Sequence, residues 1–331
     1  MPDAIEPKDR KAGLILFGIL EIAIGSLFAL MLPFVALMTM LSGEFSPVAG
    51  STNLRLVLPT LTLYIVIAVT FVSLGSGSCH CKRWARTLSL TVAWIWLVTG
   101  VLSLVAWMFI APRIFGSLAI DTDDQFARTL SLVMVISTAV LAFIYVILPG
   151  AFVLFYRSAA VKATCERRDP HLSWTEKVPE PVLMLSLGHA FLAYFLLWLA
   201  AYNWAILFFG VILSGASGAT VVLPTVVFSG WLARAIYLRK PWSWWAALGL
   251  AVVMTVAAVV TLVKVDILEL YEAMDYPAEQ IEMLRELGIG GHWLGLWPLV
   301  FFTAVYVAYL LYAKRHFTAP RNTDPDPVSL R

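Results

Sequence analysis

Charge is what this chain has least of. Asp, Glu, Lys and Arg make up 13% of its 331 residues, roughly half the share of an ordinary soluble protein. Residues 181–233 contain none at all. Cysteine is nearly absent too: Cys79, Cys81 and Cys165 are the full set, and all three fall in connectors expected on the cytoplasmic side, where thiols stay reduced. No nucleotide-binding loop, HExxH or Ser–His constellation is present, and no carboxylate pair falls within the apolar runs, so no enzymatic activity is expected. A basic tail suited to nucleic acid is also missing. These absences exclude most soluble classes.

What is there is apolar sequence in long runs. Hydrophobic residues reach 60% and the mean hydropathy is +0.84. A helix needs about 20 apolar residues to cross the hydrocarbon core. Runs of that kind occupy residues 12–41, 56–76, 87–110, 130–156, 242–263 and 291–312. The uncharged stretch 181–233 is too long for one crossing and suits two, with the turn expected at Ser214–Gly218 or, alternatively, near Asn203. The sequence therefore predicts an all-α, polytopic transmembrane bundle of eight spans. The first run is too long for a signal peptide and is expected to remain as an anchor.

The scarce charges are sorted. With eight spans, 18 of the 23 Lys and Arg residues fall on the side of the termini, which carries about +9 against −6 opposite. Cytoplasmic segments carry such an excess. A bacterial inner-membrane protein with both termini cytoplasmic is the expected placement. Trp84, Trp242, Trp244 and Trp245 beside basic clusters, and Trp107, Trp293 and Trp297 near the other boundary, read as interfacial anchors.

Short matches recur in order along the chain. Leu58-Pro59-Thr60 pairs with Leu223-Pro224-Thr225, Leu41-Ser42-Gly43 with Leu213-Ser214-Gly215, Lys82-Arg83-Trp84 with Arg239-Lys240 and Trp244, and Asp169-Pro170 with Asp324-Pro325. Four spans is an even number, so the halves would be parallel repeats. The expected division is a first four-span half at 1–156, a cytoplasmic linker at 157–180, a second half at 181–316 and a tail at 317–331. Pro59 and Pro224 are expected near helix starts, where a missing N–H costs little. Residues 266–275 continue helical spacing after the seventh span, and Pro277 opens a short acidic amphipathic helix on the opposite side.

Few residues are candidates for chemistry. Glu21 is the one formal charge deep within an apolar run, and such groups usually face a bundle interior or a water path. Gly18 and Gly25 share its helical face and permit close packing. A proton or cation relay is the sharper role for Glu21, and an uncharged, hydrogen-bonded packing carboxyl the plainer one, favoured because spans two to eight offer no second carboxylate. His189, early in span five, is the nearest counterpart, as a partner for Glu21 or a packing hydrogen bonder, although the matched tripeptides do not align the two. Cys79-His80-Cys81 with Cys165 offers four soft ligands, but adjacent positions splay apart and zinc sites usually separate their cysteines. No metal and no cofactor are expected. Arg167, Arg168 and Trp174 in the linker form a candidate cytoplasmic contact. The expected function is that of a structural or accessory subunit acting through a membrane protein partner or homo-oligomer. A small-solute or ion carrier or channel with Glu21 as its intramembrane site is the second reading.

Overall fold

The computed structural model describes residues 9–45, 54–118, 124–286 and 293–318. Among the described residues the fold is all-α apart from one short hairpin. Helices α1 (Lys11–Phe45), α2 (Leu54–Cys79), α3 (Arg83–Leu118) and α4 (Asp124–Ala142) come first, and a π-turn at Phe143–Ile147 runs directly into α5 (Leu148–Tyr156). Helix α6 (Ala159–Arg168) lies in the linker. Then follow α7 (Glu180–Leu197), strands β1 (Ile206–Phe208) and β2 (Val211–Leu213), α8 (Gly215–Tyr237), α9 (Pro241–Lys264), α10 (Ile267–Ala273), α11 (Ala278–Glu286), α12 (Trp293–Ala313) and α13 (Arg315–Thr318). Among the described residues, seven helical segments are long and apolar enough to cross a membrane, the last being Pro241–Lys264. Pro298–Ala313 is a shorter apolar helix.

Local chemistry sets several boundaries. Pro149 has no N–H to return to the Tyr145 carbonyl, and the helix widens into the π-turn just before it. That carbonyl faces Gly100 of α3, where a Cβ would collide with it. Asp266 closes a capping box with Glu269 and so starts α10 as a separate helix rather than a continuation of α9. Pro224 does not sit early in its helix: α8 begins at Gly215, which puts the proline mid-helix.

The turn between α7 and α8 includes Asn203, the alternative placement, and is not centred on Ser214–Gly218. Gly215 to Gly218 form the first turn of α8, and the connector is the segment before it, 198–214. Asn203 and Trp204 adopt positive φ at one end, and a two-residue tip, Phe209-Gly210, joins the antiparallel pair Ile206↔Leu213 to Phe208↔Val211. Positive φ at both tip residues matches the twist of a two-residue hairpin. The hairpin satisfies its own backbone, donates from Gly210 N–H to Thr261 Oγ1 at 2.9 Å, and packs Ile206 with Leu196 and Val222.

One face of the bundle collects the helix ends on which the linker is folded. Arg83 bridges to Glu176 at 2.6 Å and to Glu166 at 3.7 Å. The Arg10 N–H donates to Thr164 Oγ1, Tyr237 to the Trp174 carbonyl, and Arg239 to the His316 carbonyl. On the opposite face Arg55 pairs with Asp275 at 3.0 Å, tying the start of α2 to the segment after α10.

Candidate functional site

Helices α1 and α2 pack at backbone distance. A Cβ on Gly18 would lie 2.7 Å from the Gly75 carbonyl, and one on Gly25 would lie 2.9 Å from that of Ala68. One turn from Gly18 on the same face, Glu21 is 1% exposed. The hydroxyls of Ser89, Ser78 and Tyr156, from three other helices, approach its carboxyl. Tyr156 donates to Ser78 Oγ at 2.9 Å. Glu21 Oε2 and Ser89 Oγ nonetheless have no well-formed hydrogen bond among the described residues. A bare carboxylate surrounded only by hydroxyls would be poorly compensated in such an interior, whereas a neutral acid can both donate and accept here.

His189 is buried on α7, with Nε2 2.7 Å from the Tyr306 hydroxyl and Nδ1 without a partner among the described residues. It does not meet Glu21. The helix packing nevertheless relates the two. Ser186 donates to the Ala233 carbonyl at 2.8 Å, as Gly18 packs on Gly75. Glu21 and His189 each lie three residues beyond those contact points.

The basic turns agree in detail. After α2, Cys81 takes φ 56°, with its N–H on the Ser78 carbonyl and the Lys82 N–H on that of Gly77. After α8, Arg239 takes φ 54°, with its N–H on Ile236 and the Lys240 N–H on Ala235. This is one left-handed C-terminal helix cap occurring twice, 158 residues apart. Burial follows the same spacing: Leu74, Gly75, Gly77 and Ser78 are buried with Ser76 exposed, and Leu232, Ala233, Ala235 and Ile236 are buried with Arg234 exposed. Arg86 reaches the Tyr156 carbonyl, and Trp244, 158 residues later, reaches that of Leu310.

Some sequence matches fall outside this spacing. Pro59 and Pro224 are 165 residues apart, two helical turns out of register. Residues 41–43 are helical whereas 213–215 span a strand end and a helix start, and Asp324-Pro325 lies outside the described residues.

In the linker, Arg168 is paired with Asp9 at 2.8 Å, which holds the Asp9 carboxyl below its ordinary range. Arg167 is exposed in the last turn of α6, and Trp174 is 48% exposed beside Tyr237. Cys81 and Cys165 are both buried in one apolar cluster with Tyr156 and Leu14. Burial pushes the Cys165 thiol up to about 12 and raises that of Cys81. No three His, Cys, Asp or Glu residues converge among the described residues.

The sequence missed Ser78, Ser89, Tyr156 and Tyr306. They sit on different helices from the groups they approach, with no fixed spacing, and no signal in the linear sequence points to them. No family model, curated protein or solved structure matches the chain.

Proposed function

We propose that this is an eight-span inner-membrane protein of two parallel four-helix units, its linker face cytoplasmic, which works as an accessory subunit by associating with another membrane protein or with its own copies. Helix α12 serves as the eighth span. The repeated cap and burial at a spacing of 158 support the parallel units, and the excess of Lys and Arg supports the orientation.

The observation that carries association is the state of the fourth span. In the most apolar stretch of Gln125–Tyr156 no residue is buried, whereas the other six segments bury 22–33% of theirs. Leu132, Val135, Ile136 and Phe143 are each more than half exposed. Helices in lipid associate through close packing and interhelical hydrogen bonds rather than a hydrophobic drive. This span uses Tyr145 against Gly100, Thr138 against Trp107 and Tyr156 against Ser78 within the chain, and leaves the face with Leu132, Val135 and Ile136 open. Extraction in mild detergent should recover a complex larger than one chain, and a cysteine at Ile136 should cross-link to the associated subunit. Recovery of a bare monomer with no cross-link would overturn the proposal.

The orphaned Glu21 oxygen supports a second reading, an ion-coupled carrier or a channel. Protein in liposomes is expected to give no saturable flux, and reproducible flux abolished by Glu21→Gln would establish that alternative.

A further inference from the structure

The two basic turns differ in one respect that points to a ligand. At the end of α2 an open groove of about 570 Å³ is lined by Ser73, Ser76, Gly77, His80, Lys82 and the ring of Trp84, with Val72 at its apolar side. The indole of Trp84 lies on Gly77, where a Cβ would come within 2.9 Å of the ring. At the spacing of 158, Ser73 corresponds to Trp231 and Trp84 to Trp242. Those two indoles stack on each other with centroids 4.6 Å apart and planes 27° apart. The C-terminal turn thus fills with its own side chain the space that the N-terminal turn leaves open beside two hydroxyls.

The groove sits where one of the membrane-crossing segments ends, Val57–Cys79, and the next begins, Arg83–Pro112. Its apolar wall, Val72 and the Trp84 ring, belongs to those segments, and its mouth carries the Lys82 ammonium, 3.9 Å from Asp169 and 48% exposed. Arg83 is held more closely than Lys82, at 2.6 Å from Glu176 and 3.7 Å from Glu166, and is less exposed. The His80 ring is fixed by Nδ1–H donating to the Ser76 carbonyl at 2.7 Å. Ammonium and hydroxyl donors over an apolar wall, at headgroup depth, match a phosphodiester attached to acyl chains.

We propose that this groove binds one anionic phospholipid, its phosphate on Lys82 and the serine hydroxyls and its glycerol and first acyl carbons along Trp84 and Val72. This site is independent of the association proposed above.

The test is native mass spectrometry of the full chain in detergent with added phosphatidylglycerol or phosphatidylcholine. One phosphatidylglycerol should be retained in preference to phosphatidylcholine. Ser73→Trp, which copies the C-terminal arrangement, should abolish that retention, and Lys82→Ala should weaken it roughly tenfold, the worth of one charge-assisted contact. Trp231→Ser should add a second retained lipid. Equal retention of the two lipids, or unchanged retention in a folded Ser73→Trp protein, would overturn the site. Should Ser73→Trp not fold, Lys82→Ala decides alone: undiminished phosphatidylglycerol preference refutes the proposal.

Discussion

The N-terminal helices and the C-terminal helices each bury an ionisable group, Glu21 and His189, but surround it differently. Glu21 is met by the hydroxyls of Ser78, Ser89 and Tyr156. At the spacing of 158, Ser78 and Ser89 become Ile236 and Ala247, so the C-terminal set has no hydroxyl at either place. His189 is left with the Tyr306 hydroxyl on Nε2 and nothing on Nδ1 among the described residues. The helix contact differs as well, with Gly18 on Gly75 in one set and Ser186 on Ala233 in the other. The first set thus holds a carboxyl in a cage of hydroxyls and the second an imidazole on a single hydrogen bond. The two sites agree in placing a buried polar group three residues beyond a helix contact and differ in the groups that surround it.

The test that could break the comparison outright is topological. Lys82 and Lys240 occupy corresponding places after the two caps. Cysteines placed there in a cysteine-free background should both react with an impermeant maleimide only after cells are opened. Labelling of one from outside and the other from inside would overturn the proposed parallel arrangement. The native thiols report poorly because Cys81 and Cys165 are each 1% exposed.

Next in size is the helix contact. Gly75 has no room for a Cβ, since Gly18 O and Ile22 Cγ1 already occupy it, whereas Ala233 carries one at the corresponding place. Gly75→Ala should cost about 1–3 kcal/mol and Gly75→Leu more, from overpacking. Ala233→Gly should cost about 1 kcal/mol, the ordinary helix penalty. Unfolding in detergent micelles measures both, and equal costs for Gly75→Ala and Ala233→Gly would remove the asymmetry.

How much of this was legible in the sequence follows from what membranes make costly. Charge is excluded from the hydrocarbon, so Lys82-Arg83 and Arg239-Lys240 mark helix ends by their mere presence. The hairpin at 206–213 was invisible for the same reason: it satisfies its backbone internally and so carries no charge to announce a loop. The tripeptide containing Pro59 and Pro224 misled because apolar sequence repeats short words freely, whereas the burial of Leu74 and Leu232 records packing. Glu21 could be read as interior from Gly18 and Gly25 alone, but its hydroxyl neighbours come from α2, α3 and α5, and no linear spacing encodes that convergence.

The phenols give a smaller contrast. Tyr306→Phe removes the hydroxyl on His189 and leaves a buried imidazole without a partner among the described residues, at a cost of about 1–3 kcal/mol. Tyr156→Phe leaves Ser78 and Ser89 beside Glu21, so its cost should be about 1 kcal/mol or less. The same unfolding measurement ranks the two, and a costlier Tyr156→Phe would show that the cage depends on the phenol rather than on the serines.

The smallest effect is expected at Glu21 itself. If the cage holds a neutral acid, Glu21→Gln keeps the side-chain size, one carbonyl acceptor and a donor where the acid had its hydroxyl. The folded protein should then lose no more than about 1 kcal/mol, the net worth of one adjusted hydrogen bond. If the cage instead holds a carboxylate with a bound cation, the amide removes the charge that retains the ion, and stability should depend on that cation in the native protein but not in the variant. Unfolding midpoints of both proteins in sodium, potassium and choline chloride separate the cases. A cation-specific rise in midpoint confined to native Glu21 would replace the packing role with an ion site and would mark the polar cage, rather than the His189–Tyr306 pair, as the functional centre of the bundle.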